Sequence, residues 1–583
     1  MLRGLGGGGT IGRATAHRVT PLESQFMARK RSLADFLYTD AREGVDVHYR
    51  ELMRNQDKTP VSTDATKPRF TLVVGPSPFT MPRGWEFFLT APYEGATYIS
   101  TVLHNAGYPV KIVDVRYSID PLREAYDAIK GSTDVLGVCT FEDNFPFTRE
   151  LIDLVKSDMP EIPIICGGSL VTSVPHIFMH HTKTDIAVIS EGEITILELM
   201  ERYHEGRWDE ELPNIRGIWY RDREGIVRAT PPRGQMMDLD ALPKMRLDLW
   251  PQYHSEMGLQ PQIISSYSRG CKMDCSFCYR TTPQERAKSP EKLNEELTWM
   301  KEQYNINFVF FVDLTFTSHK RQTLEILDAI KPHKIRWTCL TRCADVDPER
   351  LDAMRESGCD IALYGVESLG KNILKAARKG NTENITLRAM YRTWDAGVRF
   401  GGLMIVGLPG EDEESLEQAC EWSEENKHIT RVKYLSAMPG TTVYQQGVQT
   451  GHIRSEIDHL NWLSIEQALV QDEFLNYNGL PEPVLRKAYK RIYDSYQPGP
   501  VMDFKHYPEH FLYFHPNGDS GSKDSVEYAG DGWRQEFSSA GPHLYHGSER
   551  YTLDKVGAPG MMETGASHRT IYGEGVVRPG AAK

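Results

Sequence analysis

From residue 70 onward, short apolar runs alternate with stretches of helical spacing, and few architectures satisfy that alternation. Runs at 70–74, 110–113, 135–139, 162–166 and 186–189 are rich in Val, Ile, Leu and Phe. Between and after them, 95–105, 121–129, 147–156 and 194–203 carry apolar residues at helical spacing. Strands and helices in this rhythm predict a parallel, doubly wound sheet. Ligands of such sheets sit at the carboxyl ends of the strands, here the loops 75–84, 139–144, 167–172 and 191–193. Gly167 and Gly168 allow the backbone to come close to a bulky ligand there, and Gly75, Ser169 and Glu191 are further candidate binding residues of these loops. No Gly-x-Gly-x-x-Gly opens a helix, so a phosphate cradle is not indicated.

The alternation resumes after a break. Strands are expected at 262–267, 308–312, 335–340, 361–364, 400–406 and 432–435, with helices at 291–304, 324–330, 348–357, 387–396 and 413–424. Six such units predict a partial parallel barrel with its site at the strand carboxyl ends. The break holds a hairpin at 215–226 and then a Pro-marked linker of about twenty residues. The chain thus divides into an amino-terminal extension (1–69), a first sheet domain (70–230), a linker (231–255), a barrel (256–445) and a mixed carboxyl-terminal segment (446–583). The extension is polar, with helices expected at 32–38 and 47–55, and reads as an extension or cap. Beyond the barrel, helices are expected at 462–472 and 483–496. Residues 497–583, rich in Gly, His, Tyr and Asp, pack over the barrel or stay partly disordered.

The first barrel strand leads into Ser268-Arg-Gly-Cys-Lys-Met-Asp-Cys-Ser-Phe-Cys-Tyr-Arg280, which sets Cys271, Cys275 and Cys278 on one loop. Three thiolates so placed suit an iron–sulfur cubane whose fourth iron has no protein ligand. A structural zinc site wants a fourth Cys or His nearby, and none follows Cys278 at finger spacing. Other chemistry-bearing residues close later strands. Asp313 either bonds a ligand's hydroxyls, positions a substrate or caps a helix. Arg342 either pairs with a carboxylate or forms a structural ion pair. Glu367 stands in Tyr364-Gly365-Val366-Glu367-Ser368, and Gly407 and Gly410 stand in the loop after the fifth strand. Cys339 and Cys343 repeat the first cysteine spacing without a third partner and read as core residues.

The cysteine loop resembles that of the radical S-adenosylmethionine (SAM) superfamily. The resemblance implies a [4Fe-4S] cluster whose open iron chelates the amino and carboxylate groups of SAM, and reductive cleavage of SAM to a 5′-deoxyadenosyl radical. It implies that Phe277 helps hold the adenine, that Glu367 lies near the ribose or amino group, and that Gly407 and Gly410 leave room for the base. Pro439-Gly440-Thr441 matches a further signature. With this loop downstream, the first sheet resembles the cobalamin-binding half of the B12-dependent radical SAM family. Gly107-Tyr108 before a strand ending in Asp114, Gly167-Gly168, and Glu191-Gly192-Glu193 carry that likeness. The Asp-x-His-x-x-Gly motif that supplies a histidine to cobalt is absent. Asp46 and His48 have its first spacing, but no Gly follows and they precede the domain.

The likeness spans roughly residues 70–445 and implies an α/β chain: a Rossmann-like cobalamin domain followed by a (β/α)6 partial barrel. It implies a methyltransferase in which one SAM methylates cobalamin and a second gives the radical that takes hydrogen from an unactivated carbon. The substrate radical then collects the methyl group, with Glu367, Arg342 and Asp313 as the catalytic set. A cyclase or rearrangement enzyme using the same cofactors is the alternative, and a cobalamin- or redox-sensing binding protein is the alternative of another class. A methylthiotransferase fits less well, since only Cys139 and Cys166 lie upstream. Expected partners are a small-molecule or peptide substrate and an electron donor of the flavodoxin or ferredoxin type.

Bulk composition limits the rest. With 80 acidic against 67 basic residues the formal charge is −13, which gives no reason to expect a nucleic-acid surface. No apolar run approaches the ~18 residues of a membrane span. Nine cysteines in 583 residues form no disulfide framework, so a reducing cytoplasm is expected.

Overall fold

The computed structural model describes residues 43–57, 62–76, 91–116, 118, 120–251, 262–278, 282–466 and 474–495, together with short strands between 526 and 551. A helix, α1 (Glu43–Gln56), precedes the first sheet. That sheet comprises β1 (Phe70–Val74), β2 (Val110–Asp114), β3 (Val135–Cys139), β4 (Ile164–Gly167), β5 (Ile186–Val188), β6 (Ile218–Arg221) and β7 (Val227–Ala229). Its order is β2-β1-β3-β4-β5-β6-β7, parallel through β5 and antiparallel beyond. Its longer helices are α2 (Glu94–Asn105), α3 (Pro121–Ile129), α4 (Phe145–Asp158) and α5 (Glu193–His204).

Side chains alternate between two cores, as a pleated strand requires. Phe70, Leu72 and Val74 of β1 join α2 and α5, while Val73 joins α3 and α4. The register makes Val74, Cys139, Gly167 and Val188 level across β1, β3, β4 and β5. One common edge of strand ends results. Strand order reverses between β1 and β3, where such sheets leave a crevice.

The second sheet holds β8 (Gln262–Ser265), β11 (Phe308–Phe311), β12 (Arg336–Thr341), β13 (Cys359–Glu367), β14 (Arg399–Val406) and β15 (Ile429–Tyr434), all parallel, in the order β15-β14-β13-β12-β11-β8. Its curved inner face carries Phe308, Phe310, Ile361 and Leu363. Outside lie α6 (Pro290–Tyr304), α7 (Lys320–Ile330), α8 (Pro348–Glu356), α9 (Lys371–Ala376), α10 (Glu383–Asp395) and α11 (Glu413–Asn426). Several helix starts are side-chain capped. Ser289 accepts from Lys292 N, Asp347 from Arg350 N, and Asp412 from Ser415 N within a capping box. A two-residue ladder of β9 (Ser268–Arg269) with β10 (Arg286–Ala287) closes the cysteine loop at its base.

The segment expected as a linker is packed. Leu239, Leu242, Met245, Leu247 and Trp250 are buried in the main core, and the Trp250 indole N–H donates to Thr97 Oγ1 at 3.0 Å. After the barrel come α12 (Thr442–Gln449), α13 (Glu456–Glu466) and α14 (Glu482–Ser495). α13 returns to α4 and adds Leu460 and Leu463 to the first sheet's core, so the chain ties its two sheets together twice. Four short antiparallel strands, Val526–Glu527, Trp533–Ser538, Gly541–His546 and Glu549–Tyr551, follow. The helix expected at 32–38, residues 467–472 of that expected at 462–472, and the rest of the 497–583 segment lie outside the described residues. Among the described residues no helix is long and apolar enough to cross a membrane.

Candidate active site

A cavity of about 800 Å³ opens where the strand ends of the first sheet face the half-barrel. Its deep part runs between the sheet and helices α2 and α5, past Leu72, Ile99, Ile165 and Ile196. Its far wall is the barrel, through Ile264, Phe310 and Val312. Two glycines keep it open. A Cβ added at Gly95 or Gly167 would meet no atom within 4 Å, so any side chain there would project into free space. The rim is polar, with Glu142, Asp143, Ser190, Glu191 and Glu193. Ser169 Oγ donates to Glu142 at 2.7 Å.

The other two glycines of these loops serve chain-to-chain contacts. A Cβ on Gly168 (φ 132°) would lie 2.2 Å from the Thr140 carbonyl oxygen, so glycine there lets two strand-end loops touch. A Cβ on Gly75 would lie 2.5 Å from the Phe147 ring.

The cysteine loop lies on the barrel side of this cavity, and Arg269 and Thr282 from its two arms reach the cavity wall. Cys271 is buried, Cys275 half-buried and Cys278 exposed. Gly270 makes the turn possible: its φ is 89°, and a Cβ would lie 2.0 Å from the Gln284 carbonyl oxygen. The loop is pinned through its backbone. Ser276 N donates to Ala377 O at 3.0 Å, and Val443 N donates to Ser276 O at 3.1 Å. Arg378 pairs with Asp274 at 3.1 Å. Burial raises the Cys275 thiol above its ordinary value, so metal binding there must displace a proton. Among the described residues no three His, Cys, Asp or Glu side chains converge on a point one ion could fill. A cluster does not ask for that, because each thiolate binds a different iron.

Glu367 ends β13 beside this loop in a left-handed conformation, φ 65°, at a register shift against β14. Its carboxylate accepts from Lys379 Nζ at 2.7 Å, with both side chains about nine-tenths buried. Burial alone would lower the Lys379 ammonium. The Glu367 charge outweighs it and holds the group raised. A Cβ on Gly365 would lie 2.5 Å from both partners, so glycine makes room for the pair. Lys379 also lies 6.0 Å from the Phe277 ring centroid, and Phe277 packs against Leu408 and its neighbours. Arg342 pairs with Asp345 at 3.1 Å and donates to the Lys379 carbonyl at 3.3 Å. Gly407 (φ 96°) and Gly410 (φ 89°) shape the loop after β14, where Glu411 accepts from Gly407 N at 2.7 Å and Leu408 N at 3.1 Å. Asp313 accepts from Ser268 N at 2.6 Å and Tyr267 N at 3.4 Å, and so fixes the backbone entering the cysteine loop. Burial pushes Asp313 up to about 7, partly offset by the Ser268 hydrogen bonds and aided by the nearby Glu94 charge.

A second group of charges joins the two sheets. Arg269 bridges Glu191 (3.2 Å) and Glu193 (2.8 Å), and Arg286 binds Glu191 at 2.8 Å. Glu94 accepts from Ser266 N at 3.1 Å and from its hydroxyl at 2.8 Å. Lys379, Arg286 and Glu94 were not expected from sequence. Each gains its partner only through the fold, across 12, 95 and 172 residues respectively, and no local pattern marks them.

Comparison with known proteins agrees with this geometry. The model of the Radical SAM superfamily matches residues 265–423, and that of the B12 binding domain matches residues 89–200. An uncharacterized methyltransferase of Pyrococcus horikoshii is 26% identical over 415 residues, covering 69% of this chain and 88% of that protein. The anaerobic magnesium-protoporphyrin IX monomethyl ester cyclase of Rubrivivax gelatinosus is 25% identical over 368 residues, 61% of this chain and 66% of that one. In fold, the chain is similar to a radical SAM methyltransferase from Kitasatospora setae solved with cobalamin and a [4Fe-4S] cluster. The TM-score is 0.53 at 18% identity, over 65% of this chain and 78% of that chain.

Proposed function

We propose that this protein, which belongs to the cobalamin-dependent radical SAM enzymes, transfers the methyl group of SAM through cobalamin to a carbon of a small-molecule or peptide substrate. The observation that carries this reading is the shared cavity. Its walls come from the first sheet, the half-barrel and both arms of the cysteine loop, so groups held by either half meet there.

The residues present fit the groups such an enzyme uses. Cys271, Cys275 and Cys278 fit three corners of a [4Fe-4S] cluster, on a loop that Gly270 and Asp313 shape. The deep apolar slot between the sheet and α2 and α5, unobstructed at Gly95 and Gly167, fits the bulk of cobalamin. When bound, the cluster with SAM supplies a carbon-centred radical and cobalamin supplies a transferable methyl group.

The chain's own residues position and shield. Phe277, Gly407 and Gly410 would border the adenine of SAM. Glu367, held by Lys379 at 2.7 Å, would accept from its ribose or amino group. Arg342 acts one step back, through the Lys379 carbonyl that it holds. Gly75, Gly168 and Ser169 shape the loops facing the corrin, and Glu191 fixes the rim between them. Ile264, Phe310 and Val312 keep water away from the space between, where a reactive carbon needs an apolar wall.

The test is isotopic. The full chain, reconstituted anaerobically with iron, sulfide and hydroxocobalamin, is given SAM labelled in its methyl group and a small-molecule extract of cells lacking the gene. A product carrying the intact labelled methyl, formed with 5′-deoxyadenosine, supports the proposal. A product formed without label favours cyclase chemistry, as in the Rubrivivax relative, and overturns it.

A further inference from the structure

The charges that join the two sheets do more than hold them together. They tie the segment that carries the thiols to the loop that rims the cavity. Every acid in the group comes from the first sheet's ligand side. Glu94 opens α2, and Glu191 and Glu193 flank Gly192 in the loop leading from β5 into α5. The side-chain donors Ser266, Arg269 and Arg286 come from residues 266–286 of the barrel, the stretch that contains Cys271, Cys275 and Cys278, while the Met236 N–H also donates to Glu191 at 2.8 Å. Arg269 is the centre. It stands directly across the β9–β10 ladder from Arg286, and both reach Glu191. Its guanidinium lies 5.4 Å from the Tyr98 ring centroid of α2.

The same residues form the cavity wall: Glu94, Glu191, Glu193 and Arg269 all border it. The loop 190–193 is also conformationally committed, with Ser190 at φ 67° and its amide fixed by Thr172 Oγ1 at 3.0 Å. Between Arg269 and the first thiol stands only Gly270, whose turn is closed against the Gln284 carbonyl. A displacement of the rim therefore passes through two short ion pairs into the backbone that carries Cys271.

We propose that Arg269 is a positioning residue which, through Glu191 and Glu193, couples occupancy of the cobalamin cavity to the order of the cysteine loop. A guanidinium suits the task because its planar fork binds two carboxylates at once, whereas an ammonium offers a single point charge. The inference rests on the reading of this cavity as the cobalamin site.

Hydrogen exchange of the full chain, with its cluster reconstituted, tests the coupling without any substrate. Exchange is followed with and without hydroxocobalamin, at concentrations that saturate each protein by its own absorbance titration. In the native protein, cobalamin is expected to slow exchange of residues 268–288 by about tenfold, together with that of 190–193. In Arg269→Lys and in the milder Glu193→Gln, the rim is still protected but the effect on 268–288 falls to about twofold or less. The reduced cluster's paramagnetic resonance spectrum is expected to shift on cobalamin addition in the native protein and to stay unchanged in both variants. Native protein that binds cobalamin without protecting 268–288, or either variant protecting it as the native does, overturns the coupling alone. Native protein that binds no cobalamin overturns both the coupling and the reading beneath it.

Discussion

Glu367 is held in a backbone conformation that a non-glycine residue adopts at a cost, and the surrounding groups explain why it stays there. Its carboxylate meets a buried lysine, and Gly365 leaves the space for both. Removing one member of such a pair leaves an uncompensated charge. Glu367→Leu is expected to destabilise the apo-protein by about 3–5 kcal/mol, and Glu367→Leu with Lys379→Met to recover most of that loss. Denaturation midpoints of the two variants check this; equal losses would show that the pair is not coupled. Asp313 gives a pH-dependent counterpart. Its folded value, about 7, lies above that of an unfolded aspartate. The stability it contributes is therefore complete below about pH 4 and is lost as pH rises through about 7. Asp313→Asn removes that titration, so the native melting temperature should fall relative to the variant's between about pH 5 and 8. A constant difference across the range would contradict the assignment.

At the scale of elements, the cysteine loop depends on the β9–β10 ladder that closes it, and that ladder depends on Gly270. A methyl group there would collide with the Gln284 backbone, and the φ of 89° is unfavourable for any other residue. Gly270→Ala is expected to cut iron bound after reconstitution at least several-fold while the first sheet still binds cobalamin. Iron analysis and absorbance titration separate the two, and native iron content in the variant would refute the role given to this turn. The elements themselves were largely legible in the chain, because strands buried on both faces and amphipathic helices leave strong patterns. The strand expected from residue 162 begins at Ile164, since Pro163 has no amide to donate and Ile162 N bonds Met159 O instead. The short helices Ser169–Ser173 and Pro175–His181 were not anticipated, being too brief to show a period. The three thiols were plain from spacing. Arg342 and Asp313 each have two readings in sequence, and only the fold reveals that Arg342 lies beside Asp345 and that Asp313 binds the backbone of Tyr267 and Ser268.

For the whole molecule, the account requires two binding functions that are separable in their parts and joined in one cavity. Gly167 tests the first half of that statement. Gly167→Leu places a side chain in open cavity space without a forbidden backbone angle. Cobalamin affinity is expected to fall by at least about tenfold, with iron content and cobalamin-independent SAM cleavage retained. Loss of the cluster in that variant would mean that the two halves are not separable. The packed segment 236–250 and the return of α13 to the first sheet make the join a fixed one. The most direct test is crystallographic. Anomalous difference maps, collected at the iron and cobalt edges from the reconstituted full chain, locate both metals without any assumption about substrate. The iron peak is expected at Cys271, Cys275 and Cys278, and the cobalt peak inside the cavity between the first sheet and the half-barrel. Iron bound elsewhere, or cobalt outside that cavity, would contradict the account.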